Sequence, residues 1–241
     1  MAGSILKRIF PNSFKKKLRD NLGVPSQELS LKRIKHKGFD PKTCLDIGAY
    51  EGNWTVEFKH IFPNSAVLML EGQTEKEPFL ISTKKKFNNV DYKIALMGAN
   101  DEATVTFNKY ATASSVLAEH NITGAKTETR KLIALDTLVA STDFARPSFI
   151  KIDTQGYELE ILKGGKKTLA SAEFVLLEVS FLDIYINCPL AADVVSFMDE
   201  QGFVIYDICT LMKRPLDGAL FQSDFLFIAK ESRFRKDKRW S

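Results

Sequence analysis

Three acidic residues stand where an apolar run gives way to a turn: Asp46 in Cys44–Gly48, Glu71 in Ala66–Gly72 and Asp153 in Phe149–Gly156. Short apolar runs of this kind form buried parallel strands. The acids then fall on the carboxyl edge of one sheet, where open α/β sheets bind their ligands. An ionised carboxylate there is costly unless it is paired or hydrogen-bonded. Glu71 sits where an acid accepts hydrogen bonds from the two hydroxyls of a ribose, each charge-assisted bond contributing roughly 1.5–3 kcal/mol. Asp46 is placed either to hold the cationic end of a ligand or to bond to N–H groups of its own turn. Asp153 faces the place where donor and acceptor would meet, and suits a base or acceptor-orienting group for a hydroxyl.

The loop after Asp46 narrows the ligand class. Gly48 and Gly52 bracket a tight turn, with Ala49 and Tyr50 inside it. Asn53 is expected to cap a helix whose apolar face is Trp54, Phe58, Ile61 and Phe62. A strand, a glycine turn and a helix in this order place free backbone N–H groups at the sheet edge. The spacing is D-x-G-x-x-x-G, whereas the dinucleotide fingerprint is G-x-G-x-x-G. Tyr50 occupies its second glycine, where a side chain blocks a pyrophosphate, so a nicotinamide oxidoreductase is the weakest reading. A glycine turn without a ligand is the competing one.

Other candidates are weaker. His120 lies in the polar stretch Tyr110–Gly124 with Ser114 and Ser115, and is the second choice as a base; a plain surface loop explains all three as well. His60 falls off the apolar face of its helix, and His36 lies in a basic surface helix. Glu158 falls in the first turn of a helix, where a carboxylate contributes about 0.3–1 kcal/mol. Glu178 ends another apolar run, and with Asp153 offers oxygen donors for a divalent cation. No third ligand accompanies them, no Cys/His cluster has zinc spacing, and no metal is expected.

The elements that must position these groups follow in order. Ser26 caps a helix towards Lys37, stopped by Gly38. Strands are expected over Thr43–Ile47, Ala66–Glu71, Val90–Leu96, Phe149–Asp153 and Phe174–Val179. Helices are expected after Gly52, over Glu75–Phe87 with Pro78 in the first turn, and from about Tyr157 to Leu169. This alternation makes a doubly wound, Rossmann-like α/β sheet in a single domain, mostly parallel. A β insertion is expected after the third strand, with Thr104–Phe107 strand-like and Lys131–Leu138 a further apolar run, projecting over the ligand edge. Ala191–Met198 is an amphipathic helix, and Phe203–Ile208 and Phe225–Ala229 close the sheet as an antiparallel pair.

Composition bounds the setting. The 241 residues suffice for one substantial core, and no apolar run reaches the roughly 20 residues that span a bilayer. Residues 1–17 carry Lys7, Arg8 and Pro11 and do not read as a secretory signal. Cys44, Cys188 and Cys209 read as reduced core thiols, so a cytoplasmic protein is expected, and the tripeptides at Asn53 and Asn121 read as chance glycosylation matches. The net charge of +4 is gathered in Lys15–Lys17, Lys32–Lys37 and Arg233–Arg239. Such runs are solvated faces or contacts to a polyanion or a membrane surface. The solvated face is the first reading, and the pairs Ile5/Ile9 and Leu6/Phe10, an apolar stripe beside Lys7 and Arg8, keep peripheral membrane contact through the arm open as the second.

The D-x-G-x-x-x-G loop followed by a strand-end acid resembles motif I of class I S-adenosylmethionine (SAM) methyltransferases. Together with Lys151–Gly164 (KIDTQGYELEILKG), Leu177–Phe181 and Gln222–Asp224, it resembles the FkbM family of these enzymes over roughly residues 38–230. Only Tyr50-Glu51 depart, where the family more often has smaller or apolar residues. The resemblance implies SAM as cofactor and O-methylation of a hydroxyl on a sugar, glycan or natural product. It implies a cofactor set of Asp46, Gly48, Ala49, Tyr50, Gly52, Asn53, Glu71, Ala95 and Ser115, with Asp153 and His120 as catalytic candidates. Residues 1–37 become a basic arm and helix, 38–230 the catalytic domain and 231–241 a basic tail. A SAM-binding scaffold without turnover and a nucleic-acid methyltransferase are the alternatives. The second lacks the N/D-P-P-Y/F tetrad and a Pro-Cys pair, so no nucleic-acid partner is expected.

Overall fold

The computed structural model describes residues 22–109, 114–120, 126–144 and 146–240. The arm at residues 1–21, with its Ile5/Ile9 and Leu6/Phe10 pairs, and the tripeptide at Asn121 lie outside the described residues. Helix α1 (Gln27–His36) begins where the Leu29 N–H donates to Ser26 Oγ at 3.1 Å and ends before Gly38, whose φ is 89°. Then follow β1 (Thr43–Ile47), α2 (Asn53–Ile61), β2 (Ala66–Glu71), a 3-10 turn at Thr74–Lys76, α3 (Glu77–Lys86) and β3 (Val90–Ile94). An insertion carries β4 (Leu96–Gly98), β5 (Thr104–Lys109) and β6 (Lys126–Ala134), which pair in the order β4-β6-β5. The chain returns through α4 (Leu135–Ala140), β7 (Phe149–Ile152), α5 (Glu158–Lys163), α6 (Lys166–Leu169), β8 (Phe174–Ser180) and α7 (Ala191–Glu200). It closes with β9 (Phe203–Ile208), β10 (Met212–Lys213) and β11 (Leu220–Ala229).

The main sheet runs β10-β11-β8-β7-β1-β2-β3, with β9 also paired to β11. Strands β3, β2, β1, β7 and β8 are mutually parallel, and β11 is antiparallel to β8 and β9. This is the expected doubly wound sheet with its antiparallel C-terminal strand. Alternation along each strand builds a core on either face. Leu45, Ile47, Leu68 and Leu70 meet Leu159, Leu169 and Met198, while Cys44, Val67 and Met69 meet Ile34, Phe58 and Leu80. The chain departs from β1 towards β2 on one side and adds β7 on the other, so a crevice opens at this switch point. All three cysteines are buried free thiols. Among the described residues no helix is long and apolar enough to cross a membrane.

Three expectations need correction. The third strand stops at Ile94: the Ala95 N–H makes the last ladder bond to β2, to Glu71 O at 2.8 Å, and Leu96–Gly98 join β6 instead. The helix expected through Leu169 breaks at Gly164-Gly165, where the insertion presses on it: a Cβ on Gly164 would stand 2.1 Å from Gly98 O. Asn53 is the first residue inside α2, and the cap position belongs to Gly52, in the left-handed region at φ 75°.

Candidate active site

A cavity of about 220 Å³ opens at the switch point, between the ends of β1, β2 and β7 and the overhanging insertion. Its lining is polar around Gly48, Tyr50 and Asp153, and apolar around Ala95, Leu96 and Phe107. Glu71 borders both parts. Its Oε2 accepts the Tyr50 N–H at 2.7 Å and its Oε1 the Gln73 N–H at 2.8 Å. Burial pushes this carboxyl above the usual range, opposed by backbone bonds from Gln73, Tyr50 and Gly72 and by Lys151. A carboxylate has about four acceptor sites, so these backbone donors leave it capacity to accept from a ligand hydroxyl.

The glycine loop differs from its expected form. The N–H groups of Gly48 and Ala49 both donate to Leu70 O, at 2.9 and 3.1 Å, and Gly52 donates to Ala49 O at 2.7 Å. With Tyr50 committed to Glu71, these four donors are consumed within the protein and form no cradle for phosphate. Tyr50 itself is left-handed, at φ 51°, and its ring lies 3.7 Å from the Lys76 ammonium, which also pairs with Glu51 at 2.8 Å.

Asp46 is fully buried and does not line the cavity. Its Oδ2 accepts from Thr55 Oγ1 at 2.6 Å, and its Oδ1 meets no well-angled donor but faces Lys151 Nζ at 3.3 Å. The two residues are register partners on β1 and β7. Lys151 Nζ also donates to Gly48 O at 3.0 Å and lies 3.8 Å from Asp153 Oδ2. Burial alone would lower its pKa, but Asp46 and Asp153 outweigh burial and raise it. Sequence reasoning passed over this lysine. Its signal was a single cation within the otherwise apolar buried run FIKID.

Asp153 lines the cavity with its side chain 37% exposed, enough for an acceptor to reach it. Gln155 holds it in place. The Gln155 amide donates to Asp153 Oδ1 and to Glu178 Oε2, both at 2.8 Å, and accepts from the Tyr185 hydroxyl at 2.7 Å. The carboxylates weighed as a cation pair are thus joined by an amide. Burial, then Asp153 and Glu158, push the Glu178 carboxyl well above its ordinary value. Glu158 is buried beneath the same turn, accepting from the N–H groups of Thr154 and Gly156 at 2.8 and 3.2 Å. Burial pushes its carboxyl up to about 7.

The structure brings Gly48, Tyr50, Glu71, Ala95, Ser115 and Asp153 to one cavity. Ser115 is buried there, its hydroxyl donating to Gln155 O at 2.9 Å, and so fastens the insertion to the turn that carries Asp153. Asp46, Ala49, Gly52 and Asn53 stand outside the lining. His120 does not line it either: its side chain is exposed and its N–H donates to Ile184 O at 3.1 Å.

Comparison with known proteins adds to this geometry. The family described as Methyltransferase FkbM domain matches residues 46–205. A hexuronic acid methyltransferase, AglP, of Haloferax volcanii is 38% identical over 93 residues, 36% of this chain and 39% of that protein's own length. Among solved structures, the fibrillarin pre-rRNA processing protein of Methanococcus jannaschii superposes with a TM-score of 0.50 at 13% identity, covering 80% of this chain and 68% of its own. The methyltransferase FkbM of Methylobacillus flagellatus gives 0.48 at 14% identity, with 76% and 43% covered. At such identities the structural likeness concerns the fold alone. With its family match spanning β1 to β9, the chain belongs to the FkbM methyltransferase family.

Proposed function

We propose that this protein is a SAM-dependent O-methyltransferase whose acceptor is a hydroxyl of a sugar, glycan or natural product. The observation that carries this reading is Glu71, a buried strand-end carboxylate that lines the cavity, with both oxygens anchored by backbone and acceptor capacity left for a ribose hydroxyl. The rest of the cavity fits the same ligand. The charged lining of the cavity is two carboxylates, Glu71 and Asp153, a balance suited to a sulfonium cation. Ala95, Leu96 and Phe107 suit a purine face, and a loop whose N–H groups are consumed suits a nucleoside without phosphates.

SAM, when bound, supplies a methyl group already activated by its sulfonium. The chain then has to align a hydroxyl for in-line attack, which contributes about 7–11 kcal/mol. Asp153 serves as the acceptor of the hydroxyl proton, a role typically worth about 10²–10⁴-fold. Gln155 occupies Oδ1, which leaves Oδ2 as the atom presented to the acceptor. A carbohydrate acceptor is supported by the Haloferax relative, named for a hexuronic acid. The test is incubation with methyl-labelled SAM and glycan fractions, read by mass spectrometry. Label in a product ether is expected, and label only in amines or nucleic acid contradicts the reading.

A further inference from the structure

The basic runs Lys32–Lys37 and Arg233–Arg239 lie at opposite ends of the sequence, and the fold joins them. Arg233 Nη2 donates to Gly38 O at 3.0 Å across 195 residues of chain. Ser232 caps the turn Arg233–Arg235, and the Phe234 ring enters the core edge-on to Phe39, at 5.9 Å, and against Phe174, at 5.7 Å. The tail is therefore docked beside α1. Lys32, Arg33, His36 and Lys37 of α1 line an open groove with Tyr206 and Asp207. Lys236, Lys238 and Arg239 are exposed, Asp237 between them feels the Lys37 charge at the groove, and Trp240 is wholly exposed.

This face lies away from the cavity. Phe39 leads into β1, and the Ala229 N–H donates at 3.0 Å to the carbonyl of Glu173, which leads into β8. The face thus belongs to the amino edge of the parallel strands, whereas the cavity sits at their carboxyl edge. A partner bound here leaves the cavity open, and cannot itself be the acceptor at Asp153.

We propose that this face docks the protein on an anionic lipid surface. Charge argues for an anionic partner: the cations are drawn from two distant segments and only some are matched, Arg33 by Asp207 at 3.6 Å, Lys32 by Glu28 at 2.6 Å and Arg239 by Asp237 at 2.7 Å. Trp240 argues for lipid, since an exposed indole beside Lys238 and Arg239 is the kind of group that settles at headgroup level. Single-stranded nucleic acid stacks successive bases on several ring faces, whereas here, apart from the exposed Trp240, the Tyr206 face is occupied by the Lys37 ammonium, 5.5 Å from its centroid. The six Lys and Arg of residues 1–21, against one Asp, add to the attraction.

The test is co-sedimentation of the full chain with vesicles of phosphatidylcholine alone and of phosphatidylcholine mixed with phosphatidylglycerol. Binding to the anionic vesicles only, falling as salt rises, is expected. The variant Lys37→Gln/Lys236→Gln/Lys238→Gln removes three exposed charges, and binding on the order of a hundredfold weaker is expected. Trp240→Ala should weaken it further at unchanged salt dependence. No binding to anionic vesicles, equal binding to both, or an unaffected triple variant overturns the proposal. So does tighter binding to a short RNA that the same variant loses, which would assign the face to nucleic acid. None of these outcomes depends on methyl transfer.

Discussion

The α-carbon of Gly48 faces the main-chain carbonyl of Asp153 so closely that a methyl group on it would stand 1.9 Å from that oxygen. The same residue is left-handed, at φ 74°. The turn after β1 and the turn that carries Asp153 are therefore in backbone contact at the rim of the cavity. Gly48→Ala is expected to destabilise the fold by about 2–4 kcal/mol, combining backbone strain with overpacking. Urea unfolding would measure the loss; a variant within 0.5 kcal/mol, roughly the scatter of a neutral surface change, would mean that the two turns separate freely.

Asp46 and Lys151 form the buried pair beneath that contact, 3.3 Å apart. Removing either leaves the other charge buried and uncompensated, at a cost of about 3–5 kcal/mol. Asp46→Ala and Lys151→Met are each expected to lose that much stability, and the double variant less than their sum. Additive losses in chemical denaturation would contradict the pairing. Any weakening of SAM binding in Asp46→Ala would then act through the turn, since Asp46 does not line the cavity.

Most of the scaffold was legible in the sequence because strand-end acids and glycine stops are local signals. Glu71 and Asp153 could be placed on one edge before any coordinates, since each closes an apolar run. What could not be read depends on contacts between distant segments. Lys151 acquires its role only when β1 lies beside β7 and brings Asp46 opposite. The break at Gly164 reflects the carbonyl of Gly98 from the insertion, and the clamp by Gln155 needs Glu178 and Tyr185. The placement of His120 outside the cavity lining has the same origin, because its backbone pairs with Ile184.

Glu158 makes a prediction about pH. Its carboxyl titrates near 7 in the folded chain, against an ordinary value of 4.5. The folded state therefore binds the proton more tightly than the unfolded one, and stability is fully present below the ordinary value and is lost as pH rises towards 7. The loss amounts to about 3 kcal/mol. Glu158→Gln is expected to remove that slope, so that urea midpoints of variant and native protein diverge between pH 5 and pH 8, roughly the span of the shift. Parallel curves would show that Glu158 is ionised throughout.

Asp153→Asn retains the side-chain shape and an oxygen for Gln155, but cannot take a proton. With the glycan fraction that the native protein labels, the variant is expected to lose at least about tenfold in rate, the low side of general-base effects. Its melting temperature should stay close to the native value. Full activity would remove Asp153 from the proton's path.

The central claim is that Glu71 holds the ribose of SAM at the end of β2, and calorimetric titration of SAM into the native protein and into Glu71→Ala tests it most directly. One SAM per chain is expected for the native protein, and loss of the charge-assisted bonds should weaken binding by about 1.5–3 kcal/mol, roughly ten- to hundredfold, in the variant. Equal affinity in the two proteins, or no heat from either, would contradict the claim.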